Sequence, residues 1–453
     1  MNAPDRLTCF KAYDVRGRVP EELNPELAYN IGRATVQFLG AHKVVVGRDV
    51  RESGPELSEA LIQGIQEQGA NVCDIGICGT EMVYFGTPHL GADAGIMITA
   101  SHNPPEYNGM KIVREGARPV SGNTGLKDIE QLARVGEFTP PNQKGEADQA
   151  DIMPAYIEKL LSYAKTQSFK PYKLVVNAGN GCAGPVIDQL EAHLPFEFIK
   201  VHHEPDSTFP NGVPNPLIEE NRAATADVVR REGADLGIAW DGDYDRCFFF
   251  DENGNFVEGY YLVGFLAEAM LKREAGAAIV YDPRLTWNTV DIVQNAGGHP
   301  VMCQSGHAFI KEKMREVGAI YGGEMSAHHY FRDFSFCDSG MIPWLLVLEI
   351  MSERGQPFSE LVRERIANYP CSGEINKRID DPDRAMQRIE DHYKQSHPTI
   401  IKVDGLSVEF EDWRFNLRKS NTEPLLRLNV ETKGDSALLK EKTQEVIEMI
   451  EAS

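Results

Sequence analysis

Short apolar runs and amphipathic stretches alternate along most of the chain. "KVVVGRDVR" (43–51) packs three valines ahead of a polar turn, the pattern of a strand running into a loop. "ELSEALIQGIQEQGA" (56–70) then places its apolar positions at helical spacing, and "NVCDIGI" (71–77) returns to strand. The rhythm recurs at "YKLVVNAGNG" (172–181), "AGPVIDQLEAHL" (183–194) and "FEFIKV". It recurs again at "AAIVYDPR" (277–284), "TVDIVQNAG" (289–297) and "HPVMCQSG" (299–306). Helical crossovers between strands imply largely parallel sheets, so the pattern predicts α/β domains. Three such blocks imply three similar domains, with no residue-level repeat visible among them.

The tail breaks the rhythm. "INKRIDDPDRAMQRIEDHYKQ" (375–395) contains a helix, and "TIIKVDGLSVEFEDWRFNLRKS" alternates like antiparallel strands. "PLLRLNVET" and a closing helix, "SALLKEKTQEVIEMIEAS", follow. That is α+β. Acidic and proline-containing connectors near 140–155, 251–258 and 366–373 then give domains at 1–150, 151–254, 255–368 and 369–453.

Composition narrows the function. The chain has 453 residues, 42% hydrophobic and 25% charged, with a formal net charge of −22. Such a balance argues against sequence-independent binding to nucleic acid or to an anionic membrane. An anionic small substrate would need locally concentrated arginine and lysine. The most apolar window, "MIPWLLVLEIM" (341–351), is too short to span a bilayer and carries Glu349. The N-terminus lacks the apolar core of a signal peptide, and eight scattered cysteines without a CxxC read as reduced thiols in a cytoplasm.

Four stretches carry chemistry. In "MITASHNPPEYNGMK" (97–111), Ser101 sits on the loop leaving a strand, and Pro104 and Pro105 remove freedom from that loop. A preorganised hydroxyl suits covalent catalysis or metal ligation, in competition with a simple proline-bounded turn. GxSxG is absent, which weakens a hydrolase reading. In "LGIAWDGDYDRCFFFDENG" (236–254), Asp241, Asp243 and Asp245 crowd three carboxylates into five residues. They repel one another unless a cation sits there, and oxygen ligands favour Mg²⁺ or Ca²⁺; an acidic surface turn is the bland alternative. An EF-hand is excluded because Arg246 occupies its glycine position. The loop "GGEMSAHHYF" (322–331) offers carboxylate, hydroxyl and imidazole, a set that can bind sugar hydroxyls or form an ordinary loop. "RKSNTEPLLRL" (418–428) gathers a guanidinium, hydroxyls and an amide, the inventory phosphate requires, although a polar turn has it too. Finally "NAGNGCAG" (177–184) satisfies GxGxxG between strand and helix, which suits either a dinucleotide site or a tight backbone turn.

Taken together, the four stretches resemble the α-D-phosphohexomutase family, in its bacterial phosphomannomutase/phosphoglucomutase type. "TASHNP" resembles that family's phosphoserine loop, "DGDYDR" its magnesium loop, "GEMSAHH" its sugar-binding loop and "RKSNTEP" its phosphate-binding loop, in order across essentially the whole chain. The resemblance implies four domains, three α/β with a shared mixed sheet and one C-terminal α+β, around a central cleft. It implies a phosphorylated Ser101 that joins Asp241, Asp243 and Asp245 in holding Mg²⁺. Lys111 and His102 match positions for proton transfer and loop support, with Arg246 beside them. Glu324 and Ser326 would hold sugar hydroxyls, and Arg418, Ser420, Asn421 and Thr422 the phosphate not being transferred. "KAYDVRG" adds Tyr13 and Arg16, and Arg284, His307 and His328 fall at further cleft positions.

The implied reaction interconverts mannose 6-phosphate and mannose 1-phosphate through a hexose 1,6-bisphosphate, which would also act as activator. The implied partners are small hexose phosphates, with neither nucleic acid nor membrane, acting on a cytoplasmic monomer or homodimer. Phosphoglucomutase or dual-specificity activity is the near alternative; a nicotinamide-dependent dehydrogenase built on the 177–184 turn is the remote one. Three residues depart from the family pattern. Ala327 replaces a usual glycine, Glu423 adds charge beside the presumed phosphate, and Tyr244 replaces a commonly small residue.

Overall fold

Three mixed sheets and one antiparallel sheet carry the strand–helix rhythm in the computed structural model, which describes residues 6–419 and 425–452. In the first sheet the strand Lys43–Arg48 runs parallel to both Asn71–Ile77 and Ala94–Ile98, and Tyr107–Arg114 returns antiparallel beside the latter. The helix Pro25–Leu39 starts where Asn24 accepts the Leu27 N–H and stops at left-handed Gly40. It packs with Gly54–Glu67 onto the sheet, burying Ile31, Leu61 and Ile65 against Val44, Val46 and Ile96. The central strands are apolar between their ends because both faces are covered.

The second and third sheets repeat this order. Lys173–Asn177 runs parallel to Leu236–Trp240, which turns back into Cys247–Phe250. Ala278–Tyr281 runs parallel to Tyr321–Gly323, which turns back into His329–Phe331. Three of the chemistry-bearing stretches therefore occupy one topological position: the hairpin after the third parallel strand in chain order. Residues 99–106, 241–246 and 324–328 are equivalent loops at the carboxyl ends of parallel strands, where open α/β sheets place their ligand sites.

A residue-level repeat also exists, although the hydrophobic pattern conceals it. At the end of the first parallel strand a short polar side chain accepts the N–H two residues on. Asp49 accepts from Arg51 (3.1 Å), Asn177 from Gly179 (2.9 Å) and Asp282 from Arg284 (2.9 Å).

The fourth sheet is antiparallel, in the order Ile375–Arg378, Leu425–Thr432, Trp413–Lys419, Leu406–Glu409 and Thr399–Ile401. Helices Pro382–Lys394 and Ser436–Glu451 contribute Ile389, Val446 and Ile450 to its core, with Val408, Phe415 and Leu428. The stretch 375–395 thus opens as a strand. Its helix begins only after Asp381, whose side chain caps the Arg384 N–H.

Two compact units emerge: Met1–Phe256 with Asp333–Gly355, and Val257–Arg332 with Gln356–Ser453. The apolar window 341–351 lies in the first unit as the buried helix Ile342–Arg354. Glu81, fully buried, accepts from Ser339 Oγ (2.7 Å), the Gly340 N–H (2.6 Å) and the Met341 N–H (3.2 Å) ahead of that helix. Among the described residues no helix is long and apolar enough to cross a membrane.

Candidate active site

Ser101 leaves its strand with φ of +48°, a left-handed backbone that is costly for any residue with a Cβ. The residue is 4% exposed, and its hydroxyl donates to Asp241 Oδ2 at 2.8 Å. His102 Nδ1 lies 3.1 Å from the same hydroxyl and 2.6 Å from Arg246 Nη2. A guanidinium only donates, so Nδ1 accepts and the neutral ring carries its proton on Nε2. Burial, with Arg246 and Arg16 close by, holds the His102 pKa well below its ordinary value.

The three aspartates lie on the equivalent loop of the second sheet and are all buried. Each presents an oxygen within 4.8 Å of the others. Lys111 Nζ donates to Asp243 Oδ2 (2.7 Å) and Asp245 Oδ2 (2.6 Å), while Arg246 donates through Nε (3.0 Å) and Nη2 (2.6 Å) to Asp241 Oδ2. Burial pushes the Asp243 carboxyl up, but Lys111 more than offsets it and holds the group well below the carboxylate range. The same pair works in reverse on Lys111: burial lowers its pKa, Asp243 and Asp245 raise it further, and the ammonium is retained.

Two protein cations thus face three carboxylates. Asp243 Oδ1 is buried with no hydrogen-bond partner among the described residues. Three carboxylates and a serine oxygen form a hard-oxygen donor set, so the residues present fit a small divalent cation.

Sequence reasoning missed the groups that brace this centre. Thr80, at the start of the helix Thr80–His89, donates to Asp243 Oδ2 at 2.5 Å and lies 3.3 Å from Lys111 Nζ. Thr99 accepts the Ser101 N–H (2.8 Å) and donates to Asp49 Oδ2 (2.7 Å). Their only sequence signal is a small hydroxyl residue at a strand end or helix start. Arg16, on Val15–Arg18, donates to Asn103 Oδ1 (2.7 Å) and Asp14 Oδ2 (2.6 Å), so it reaches the serine loop. Tyr13 lies half-buried just before that strand.

The second unit gathers the other predicted residues. Glu324 accepts from Tyr330 Oη (2.5 Å) and the Gly306 N–H (2.8 Å), and His328 Nδ1 lies 3.4 Å away. His307 opens the helix that follows Gly306. Arg284 is held by two bonds to Asp282 (2.8 and 2.9 Å) and reaches Ser326 Oγ at 3.2 Å. Burial would raise the Glu324 carboxyl, but His328 and Arg284 more than reverse this and keep it ionised. Arg418 Nη2 binds Glu374 Oε2 at 2.8 Å, and Arg284 Nη1 lies 3.9 Å from the same carboxylate, so sugar-loop and phosphate-loop residues meet around Glu374. Ser420, Asn421, Thr422 and Glu423 lie outside the described residues.

The glycine-rich turn 177–184 has a packing explanation. A Cβ on Gly181 would lie 2.7 Å from the Gly242 carbonyl, to which Cys182 N–H donates at 3.1 Å. Gly179 and Gly184 press against Pro214 and the His203 carbonyl. The turn buttresses the aspartate loop, which removes the support for a dinucleotide site. Tyr244 is accommodated likewise: its buried ring occupies the space left by the missing side chain of Gly79. Ala327 adopts φ of +70°, a left-handed backbone that favours glycine.

The sequence matches all four domains described as Phosphoglucomutase/phosphomannomutase: alpha/beta/alpha domain I over residues 7–139, domain II over 154–254, domain III over 258–369 and the C-terminal domain over 374–449. The chain belongs to this family. Its relatives include a phosphomannomutase of Salmonella montevideo, 56% identical over 98% of this chain and 99% of that protein. A protein of Xanthomonas campestris pv. campestris named phosphohexose mutases is 57% identical, again over 98% and 99%. Among solved structures, a phosphoglucomutase/phosphomannomutase family protein from Burkholderia thailandensis superposes with a TM-score of 0.87. It is 31% identical, with 98% of this chain and 97% of that one covered.

Proposed function

We propose that this chain is a phosphomannomutase that interconverts mannose 6-phosphate and mannose 1-phosphate, with Ser101 as phosphoryl carrier. The observation that carries the reading is the Ser101 hydroxyl at 2.8 Å from Asp241, inside a buried trio of aspartates. Phosphoryl transfer needs positioning and charge neutralisation more than covalent machinery, and both are built here.

Ser101 and the three aspartates would hold the metal, for which Mg²⁺ is the best match to an all-oxygen set beside a phosphate. When bound, it would neutralise charge on the transferring phosphoryl group. Phosphoserine gives its phosphoryl group to a sugar hydroxyl: the P–Oγ bond breaks, a bond from phosphorus to the sugar oxygen forms, and the hydroxyl proton leaves. Lys111, held as an ammonium, is the group proposed to give its proton to Ser101 Oγ as the P–Oγ bond breaks and to regain one from the sugar hydroxyl, and Arg246 keeps His102 Nδ1 an acceptor beside the serine. Glu324 and Ser326 orient sugar hydroxyls, His307 and His328 complete that site, and Tyr13 and Arg16 act beside the serine loop. Arg284 and Arg418, with Ser420, Asn421 and Thr422, hold the phosphate that is not reacting.

The hexose 1,6-bisphosphate formed in the first half-reaction then presents its other phosphate to Ser101. The same compound, supplied from outside, would recharge dephosphorylated enzyme. The proposed setting is a cytoplasm, consistent with eight free cysteines. The four stretches of chain 1–150, 151–254, 255–368 and 369–453 would contribute one loop each.

A coupled assay tests the reading. Purified protein should carry phosphate on Ser101, Ser101→Ala should lose nearly all turnover while staying folded, and kcat/KM should favour mannose 1-phosphate over glucose 1-phosphate. Turnover by folded Ser101→Ala would remove the carrier role; preference for glucose 1-phosphate would overturn the sugar assignment. Comparable use of both sugars would match the broader name carried by the Xanthomonas relative.

A further inference from the structure

Behind the Ser101 loop lies a second charged pair, Asp49 and Arg51, that takes no part in the cluster of aspartates. Arg51 is 1% exposed and uses all five of its N–H donors inside the protein. Nε donates to Asp49 Oδ2 (3.2 Å), Nη1 to the carbonyls of Pro104 (2.8 Å) and Tyr107 (2.9 Å), and Nη2 to those of Ser101 (2.9 Å) and Asn103 (2.7 Å). Four carbonyls spread over seven residues of loop are thus held by one rigid plane. Asp49 completes the grip. It accepts the Thr99 hydroxyl, which fixes that hydroxyl's direction and turns its lone pair toward the Ser101 N–H.

We propose that Arg51, aligned by Asp49, is a positioning residue that holds Ser101 in its left-handed conformation with its oxygen on Asp241. This rests on the carrier role proposed for Ser101. A serine at φ +48° persists only where its surroundings over-determine it; here its carbonyl accepts from Arg51, and its N–H donates to Thr99, whose hydroxyl Asp49 holds. With every donor occupied, Arg51 has none left for a substrate phosphate. The contrast with Arg284 is instructive: it sits in the same turn of the third sheet, yet points its Nη2 at Ser326 and Glu324. One local motif, a strand-end aspartate with an arginine two residues on, serves as a loop clamp in one sheet and faces the sugar loop in another. Lysine cannot replace Arg51, because a single nitrogen cannot reach four carbonyls in a plane.

The experiment compares Arg51→Ala, Arg51→Lys and Asp49→Asn with the parent, all given saturating Mg²⁺ and hexose 1,6-bisphosphate. Hydrogen–deuterium exchange should accelerate across 99–107 while the strand Ala94–Ile98 keeps its protection. kcat should fall about ten- to a hundredfold, as expected for a reacting group displaced by about an ångström, with KM for mannose 1-phosphate changed less than threefold. Millimolar guanidinium should restore part of the lost kcat in Arg51→Ala, a rescue that general destabilisation would not show. Unchanged exchange across 99–107 in a folded variant would overturn the proposal, as would a rise in KM without loss of kcat. If Arg51→Ala does not fold, Arg51→Lys and Asp49→Asn decide on the same readouts. Retained turnover in Ser101→Ala would instead condemn the carrier reading, and the exchange data would still judge the clamp.

Discussion

Gly242 approaches Ser101 so closely that a Cβ at Gly242 would lie 2.6 Å from the Ser101 carbonyl oxygen. The central glycine of "DGD" is therefore a requirement of contact between two loops from different sheets. Gly242→Ala should push the aspartate loop off the serine loop. The expected result is a loss of kcat of at least about a hundredfold with destabilisation of about 1–3 kcal/mol. Steady-state kinetics and thermal unfolding check this; parental activity in Gly242→Ala would mean that the two loops need not touch.

Lys111 supplies a positive charge between Asp243 and Asp245. Thorough chelation should abolish turnover, and Mg²⁺ should restore it better than Ca²⁺. Lys111→Met should lower the metal-free melting temperature more than the Mg²⁺-bound one, because the buried carboxylates then lose their only ammonium among the described residues. The Mg²⁺-induced rise in Tm should therefore be larger in the variant than in the parent. An equal or smaller rise would show that the metal does not share these carboxylates with Lys111.

Arg418 and Arg284 share Glu374, so the proposed phosphate site is already a place where anion meets guanidinium. Arg418→Ala should cut kcat/KM for both mannose 1-phosphate and mannose 6-phosphate by about ten- to a hundredfold, the equivalent of roughly 1.5–3 kcal/mol. Each substrate presents its spare phosphate to the same loop. Dephosphorylated enzyme should be nearly inert with monophosphate alone and revived by catalytic hexose 1,6-bisphosphate. A defect confined to one monophosphate, or a dephosphorylated enzyme indifferent to bisphosphate, would contradict a sugar that reacts from both ends.

His329 is fully buried, its Nδ1 paired with Tyr321 Oη at 2.7 Å. Burial, assisted by neighbouring His328, pushes its pKa down to about 3. The unfolded chain binds a proton there below about pH 6.5, while the folded protein does not until far lower pH. Stability from this group is thus complete above pH 6.5 and is lost as pH falls toward 3. Between pH 7 and pH 5 the loss should be about 2 kcal/mol. His329→Gln should remove that part of the acid sensitivity, measured by denaturant unfolding of parent and variant at both pH values. An identical pH dependence in both proteins would show that His329 takes up its proton without cost in the fold.

The sequence by itself determined the class of each block and named the candidates for the chemistry. Runs such as "KVVVGR" and "CFFF" read as strands because burial on both faces leaves no polar position between their ends, and local pattern records burial directly. The cluster 241–245 was legible because three carboxylates are costly to gather without a cation. What only the tertiary structure decided is everything that depends on contacts between distant segments. The strand-end turns of three sheets, built on Asp49, Asn177 and Asp282, look unrelated in sequence, since one or two residues carry the repeat and their hydrogen bonds do not alter hydrophobic periodicity. Arg51 gave no signal because its partners are backbone carbonyls, which every sequence supplies. The glycines of "NAGNGCAG" fit a nucleotide fingerprint equally well, because a glycine reports only that something comes close. Here that something is the carbonyl of Gly242 and the chain around Pro214 and His203. Identity and order of residues are local properties of the chain, but close approach is settled only when the whole chain has packed.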